Sequence, residues 1–201
     1  MPILELTQLR LKGVEPTHPS LLDSLSVVRG KLHTNSRFYN CIEDRALIFI
    51  LGIWPSLDAH LEFLHSPARD EVLGPQEHLL DFQWTVHVEI DAMADLPLDA
   101  PVMAIARLFV NSDAVHAFRQ AAAKHVQLIA ERTQHNAVNG WRYDAEPGKH
   151  EALVITGWES AESHAAFTAK ACSENPDYPA MEGLYEDMKL YHARNMERPD
   201  F

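Results

Sequence analysis

Apolar and polar positions along the chain fall into two successive sets of the same shape. Residues 3–12 (Ile-Leu-Glu-Leu-Thr-Gln-Leu-Arg-Leu-Lys) alternate as a strand does, and Gly13 and Pro16 close the run. Ser20 opens a Ser-x-x-Asp start, after which Leu21, Leu25, Val28 and Leu32 recur at helical spacing. Residues 36–42 read as a second strand, Glu43-Asp44 as a tight turn and residues 46–54 as a third strand. That third strand is apolar on both faces, with Leu47, Phe49 and Leu51 on one and Ile48 and Ile50 on the other, which marks a central strand covered on both sides. The helix after Trp54 carries Leu57, Leu61 and Leu64 on one stripe as far as Pro67, and residues 71–80 leave room for further turns around Gly74-Pro75. Residues 82–90 then alternate, with Phe82, Trp84, Val86, Val88 and Ile90 facing one way and Gln83, Thr85, His87 and Glu89 the other. The order is β-α-β-β-α-β.

Residues 91–101 hold two prolines, three aspartates and no strong period, as a connector does, and the order then restarts. A strand is predicted over 102–110, where Arg107-Leu108 echoes Arg10-Leu11. A helix from about Asp113 packs Val115, Phe118, Ala122, Val126 and Ile129 on one face. Strands near 137–144 and 152–158 flank a turn at Pro147-Gly148, followed by a helix over 161–171 and a last strand near 187–194; residues 173–186 read as a loop with at most a short helix. The repeat is sharpest after the third strand of each set: Trp54, Ser56, His60 and Phe63 recur as Trp158, Ser160, His164 and Phe167, all at an offset of 104 residues. Ser56 and Ser160 stand where an N-cap is wanted, and Asp58 and Glu162 put negative charge beside the positive end of a helix dipole.

These patterns predict a duplicated unit, with a first copy over 1–92, a linker over 93–101 and a second copy over 102–201. Each copy has the order of the ferredoxin-like motif, so the expected class is α+β with tandem ferredoxin-like units. Such a sheet keeps its helices on one face and needs cover on the other. Two copies can supply it by stacking sheet on sheet, within one chain or between chains in a homodimer.

Composition narrows the partners. A length of 201 residues suits two domains of about 100, and 46% apolar with 23% charged residues is ordinary for a globular chain. The net charge of −12 argues against nucleic acid or an anionic membrane as partner. Cys41 and Cys172 are the only cysteines, too few for a disulfide framework or a thiolate metal site, and they suit a reducing compartment. Neither a signal-peptide pattern nor an apolar run of about 20 residues is found, so the expectation is a soluble cytoplasmic protein.

Histidine, with twelve copies, is the natural acid or base at neutral pH. No pair has zinc-helix spacing; His60 and His65 are five apart, about 140° around a helix, so no metal is expected. His60 and His164 recur in both copies, which suits a helix histidine that hydrogen-bonds a neighbouring strand or loop. His87 has sharper functional promise, because it shares the polar face of its strand with Gln83 and Thr85 and could move a proton if that face lines a cavity; facing solvent, it would be a surface histidine. His192 stands at nearly the same offset, but Met188 and Leu190 share its face, which suggests that at most one copy keeps a working site. Trp54 and Trp158 close strands as core residues or substrate platforms. Tyr39 could donate to a phenolate or enolate, and Arg69 could hold a carboxylate or enolate. No Gly-rich phosphate loop, Cys-His nucleophile pair or G-x-S-x-G elbow is found, which disfavours phosphoryl transfer, nicotinamide chemistry and serine hydrolysis.

With Trp54-x-Ser56 and Ala59-His60 followed by Ser66-Pro67, the chain resembles the antibiotic-biosynthesis-monooxygenase (ABM-like) family of dimeric α/β barrels, and in particular its tandem fungal members associated with secondary metabolism. In the second half Trp158, Glu162 and His164 remain, but no Ser-Pro follows. Many members carry Glu two residues before the strand-end Trp, where this chain has Gly52 and Thr156. The olivetolic-acid-cyclase branch uses a Tyr and a His around His-Pro-x-His, where this chain reads Phe63-Leu-His65-Ser-Pro67-Ala-Arg69. The resemblance implies oxygenation of an electron-rich aromatic polyketide without metal or flavin; cofactor-free cyclases and decarboxylases are the alternative of the same fold, and other relatives bind haem or have no known reaction. The residues expected to act are His87 and His65 as acid-base groups, with Tyr39, Trp54, His60, Arg69 and Trp84 against a small aromatic substrate, and no cofactor. A histidine base would draw a phenol or activated C–H proton inside an apolar cavity. A non-catalytic binding or scaffold protein is the competing class.

Overall fold

The structure is a computed structural model that describes residues 1–174 and 181–198. Strand β1 covers Ile3–Leu11, helix α1 Pro19–Leu32, β2 Arg37–Cys41, β3 Leu47–Trp54, α2 Leu57–His65, α3 Ala68–Leu73 and β4 Leu80–Val88. The same order follows in β5 (Val102–Val110), α4 (Val115–Thr133), β6 (Ala137–Trp141), β7 (His150–Trp158), α5 (Ala161–Glu174) and β8 (Tyr185–Asn195). All described ladders are antiparallel, and the class is α+β. Of the segment read as a loop over 173–186, residues 175–180 lie outside the described residues, as do residues 199–201 and the side chain of Cys172.

Contacts divide the chain into two compact units, 1–93 with 193–201, and 94–192. In the first unit the strands run β4-β1-β3-β2, and in the second β8-β5-β7-β6. β8 is shared: residues 185–192 belong to the second unit, whereas Ala193, Arg194 and Asn195 pair with Cys41, Asn40 and Tyr39 in the first. One strand thus serves both sets of ladders, which corrects the expectation of two separate four-stranded sheets.

In the first unit β1 and β3 lie between β4 and β2, and both are buried over most of their length. Leu9 and Leu11 of β1 join Phe38, Ile48 and Leu80 beneath Leu21 and Leu25 of α1, a continuous apolar layer between helix and sheet. Helix α1 begins two residues before the start that Ser20 as N-cap suggested. Pro19 sits in its first turn, His18 is the N-cap with no side-chain cap bond, and Ser20 Oγ pairs with His18 Nδ1 at 2.9 Å. A proline there wastes no hydrogen bond, since its missing N–H would have had no helical partner.

In the second unit Leu108, Val110, Ala152 and Val154 of the sheet meet Phe118 and Ala122 of α4, with Trp141 and Val126 against them. The connector over 93–101 packs into this unit. Leu96 and Ala100 are buried, Asn136 Nδ2 donates to the Ala94 carbonyl at 2.8 Å, and a Cβ at Gly157 would come within 2.8 Å of both Pro97 and Ala100. The echo between Arg107-Leu108 and Arg10-Leu11 is out of register. Ile3 pairs with Trp54 and Val102 with Trp158, so counting along each strand sets Arg107 against Gln8. Arg107 is buried and bonded to Glu151 at 2.5 Å, whereas Arg10 holds Asp44 at the surface.

Candidate functional site

The site grows from the sharp turn that ends β3 and from the pairing of β1 with its two neighbours. At the end of β3, Ser56 Oγ accepts from the Ala59 backbone N–H and starts α2, as its N-cap position required. That fixes His60 as the fourth residue of the helix, turned toward the sheet. Its ring stacks on Trp54 at 4.3 Å between centroids with 13° between planes, and Phe63 lies on the indole at 5.6 Å. Across the sheet, β1 pairs Glu5 with Gly52 on one side and with His87 on the other. Residues paired in this way project to the same face. Glu5, Thr7, Thr85 and His87 therefore stand beneath α2.

The polar groups are joined. Trp54 Nε1–H donates to Glu5 Oε2 at 2.5 Å, Thr7 Oγ1 donates to Glu5 Oε1 at 2.6 Å, and Thr7 and Thr85 share a hydrogen bond of 2.6 Å. His60 Nε2 lies 3.9 Å from Glu5 Oε2, and His60 Nδ1 is bonded to His87 Nε2 at 2.7 Å. One proton lies between those two ring nitrogens, so one ring donates and the other accepts. His60 is 4% and His87 2% exposed. A polar chain this deeply covered is costly unless each member is satisfied.

The chain ends at a cavity of about 620 Å³ in the first unit. Glu5, Thr7, Thr85 and His60 face it, Trp54 and Phe63 form an aromatic wall, and Leu9, Leu25, Val28, Phe38, Ile50, Leu64 and Leu73 supply the apolar remainder. This is the volume and lining typical of small-molecule sites.

The second unit repeats the aromatic and histidine part. Ser163 N–H donates to Ser160 Oγ at the start of α5, Trp158 stacks on His164 at 4.4 Å, and His164 Nδ1 is bonded to His192 Nε2 at 2.8 Å. The carboxylate is missing: the register that matches Ile3 to Val102 puts Ala104 and Ala106 where the first unit has Glu5 and Thr7. Trp158 Nε1–H turns instead to Thr156 Oγ1 at 2.7 Å. Burial pushes His164 down to about 4, with His192 and His125 nearby adding to the effect, and burial likewise takes His125 down to about 4.

Each residue singled out in the sequence has a definite place. Trp54, His60 and Arg69 line the cavity. His87 is on the cavity-facing side of β4 but behind His60 rather than at the wall. His65 ends α2, is exposed and is not among the lining residues. Arg69, at the rim, is paired with Asp70 at 2.6 Å and Glu77 at 3.0 Å. Tyr39 and Trp84 are not among the lining residues: Tyr39 pairs with Phe49, which pairs with Gln8, opposite Trp84, so both belong to the other face of the sheet. Burial pushes the Tyr39 phenol up to about 12, which keeps it protonated. Cys41 is a buried free thiol pushed up to about 11, chiefly by burial, and so is no thiolate nucleophile.

Glu5 and Thr7 had no place in the sequence reading, because in a strand that alternates they look like its solvent face. A signal was present: β1 puts Leu4 and Leu6 on even positions but Leu9 and Leu11 on odd ones, so its apolar face changes side midway, which fits a strand covered on both faces. Gly52, where the resemblance led us to look for a carboxylate, lies directly across from Glu5. A Cβ at Gly52 would come within 2.5 Å of Ser36 Oγ, so the acid comes from the adjacent strand instead. Among the described residues no group of three or more His, Cys, Asp or Glu side chains could hold a metal ion, and no described helix is long and apolar enough to cross a membrane.

No protein-family model matches the chain, and a search of curated proteins found no match. Solved structures do match over nearly the whole length. An anthrone oxidase-like protein aligns with a TM-score of 0.70 at 10% identity, covering 96% of this chain and 91% of its own. A candidate monooxygenase from Fusobacterium nucleatum aligns with a TM-score of 0.63 at 10% identity over 98% and 93%. A heme-binding protein from Thermus thermophilus aligns with a TM-score of 0.55 at 8% identity over 96% and 90%. The chain shares their fold. At such identities the likeness carries architecture and leaves chemistry to the side chains.

The residues of the first-unit cavity do not fit a haem. His60 Nδ1 is bonded to His87 and its Nε2 lies beside the Glu5 carboxylate, so an axial bond would displace one partner or press a carboxylate against the porphyrin. The cations that could meet propionates are already paired, Arg29 with Glu197, Arg69 with Glu77 and Lys12 with Asp81.

Proposed function

We propose that the protein is a cofactor-independent oxygenase acting on a small aromatic, polyketide-like molecule of secondary metabolism in the first-unit cavity, with His60 as the base. The observation that supports this most is the Glu5–His60–His87 chain ending at an apolar, Trp-walled cavity. The neighbours named monooxygenase and anthrone oxidase-like agree with it. His87 holds the His60 ring and its tautomer through the 2.7 Å bond, and the Glu5 carboxylate stabilises the imidazolium formed when His60 accepts a proton. The base role given to His87 in the sequence thus passes to His60, and that given to His65 has no geometric support.

For an anthrone the balance is simple: loss of a ring C–H proton to His60 leaves the enolate, dioxygen oxidises it to the hydroperoxide, and release of water gives the quinone. One anthrone and one dioxygen yield one anthraquinone and one water, and the imidazolium returns its proton. Closure of the enolate, or loss of carbon dioxide, would make the same site a cyclase or decarboxylase; dioxygen is favoured because the structural neighbours named monooxygenase and anthrone oxidase-like share the fold. The test is oxygen uptake with anthrone. Uptake equal to quinone formed, lost in His60→Gln with the fold intact, is expected. Binding of anthrone without uptake by the unchanged protein would leave a binding protein in its place.

A further inference from the structure

Strand β4 contains an irregularity that the site as described does not use. Trp84 pairs with Gln8, but the next residue of β1, Leu9, pairs with Phe82, so Gln83 is an extra residue on β4. A regular ladder would set Phe82 opposite Arg10 and point it to the same side as Trp84, as the alternation over 82–90 predicts. The bulge turns it over, to the face of Leu9, Thr7 and Thr85, where it lines the cavity. Leu9 and Thr7 on that face are buried and Thr85 is half-buried, yet Phe82 itself is 65% exposed. An aromatic ring re-aimed by a bulge onto a cavity and then left in water adds little to the core, and bulges of this kind recur where a side chain must be redirected beside a site.

We infer that Phe82 is a specificity-determining residue: its ring is the outer platform for a planar ligand whose inner end reaches His60 and Glu5. This rests on the cavity reading above but not on the reaction. Trp54 and Phe63 line the same cavity, and aromatic surfaces at its wall and its mouth together select flat rings over puckered ones. The platform is aromatic and uncharged, and the rim cations Lys12 and Arg69 are held by Asp81 and Glu77, so flatness rather than charge is what this end of the cavity recognises.

The test compares 2-naphthol with its saturated analogue, decahydro-2-naphthol, by calorimetric titration of the unchanged protein, Phe82→Leu and Phe82→Trp. An aromatic pair is worth a few-fold to about tenfold in affinity beyond its area. Phe82→Leu should therefore weaken 2-naphthol by roughly three- to tenfold while changing the saturated probe less than twofold, and Phe82→Trp should restore the preference. Equal losses for both probes, or no loss for either, overturn the inference. So does a change in oligomeric state in Phe82→Leu on light scattering, which would give the exposed ring to an interface. If the unchanged protein binds neither probe, the cavity reading itself fails, a result distinct from binding without discrimination.

Discussion

Replacing Glu5 by Gln removes one charge from the centre of the site and little else. The amide oxygen can take Trp54 Nε1–H in place of Oε2, at 2.5 Å, while the amide N–H that replaces Oε1 donates to Thr7 Oγ1, at 2.6 Å, whose hydroxyl then turns to Thr85, so the loss of charge-assisted bonding should cost about 1 kcal/mol of stability. For a chain of this size that is roughly 2–4 °C in Tm. The effect on proton transfer is larger. A carboxylate 3.9 Å from His60 Nε2 attracts an imidazolium by about 4 kcal/mol at an effective dielectric of about 20. Full loss of that attraction would slow the step by about a thousandfold. Because only part of the charge has formed at the transition state, kcat for anthrone oxidation should fall by between about thirty- and several-hundred-fold, with KM changed far less. Oxygen-electrode assays beside differential scanning fluorimetry measure both quantities. A kcat within threefold of the unchanged protein would refute the role given to Glu5, as would a loss of activity that merely tracks a large loss of Tm.

The two histidine pairs should separate in function. His60→Gln should abolish turnover, whereas His164→Gln, in the unit that has Ala104 and Ala106 in place of the acid and hydroxyl, should leave kcat within about twofold and cost only stability, on the order of 1 kcal/mol for the lost hydrogen bond. His125 and His164 are both held down to about 4 in the folded protein against an unfolded value of about 6.5. Above about pH 6.5 both are neutral in either state and do not alter stability. Below it the unfolded chain takes up protons first, so stability falls as pH is lowered from about 6.5 toward about 4, by on the order of 3 kcal/mol for His125 and less for the more open His164. Urea midpoints between pH 7 and 4.5 should show a shallower slope in His125→Gln; an unchanged slope would exclude this origin. Gly157→Ala would bring a Cβ within 2.6 Å of His135 Cβ and 2.8 Å of Pro97 and Ala100, so a loss of about 1–3 kcal/mol is expected from urea unfolding. Titration with haemin should give no sharpened Soret band; a defined band with stoichiometric saturation would mean that the chain offers iron a ligand other than those described above.

Much of the local structure was legible in the residue order because it depends on near neighbours. Apolar runs placed the strands, the serines before α2 and α5 marked their starts, and the central position of β3 followed from apolar residues on both of its faces. The repeated Trp and His of the two halves were visible for the same reason, since each pair is set by the turn from strand to helix. The chemistry was not. Trp54 is 49 residues from the carboxylate it bonds, Thr7 is 78 residues from Thr85, and His60 is 27 from His87. Those meetings depend on the register of β1 between β3 and β4, and a shift by one residue would send every side chain of β1 to the opposite face. The bulge at Gln83 shows the same limit at its smallest scale: alternation along β4 reads as unbroken, and only pairing with β1 reveals that Phe82 has crossed to the cavity. The order of residues thus determined which segments become strands and helices and where α2 and α5 begin. Tertiary pairing alone decided which acid stands beside which base, because that choice is made between strands and not along them.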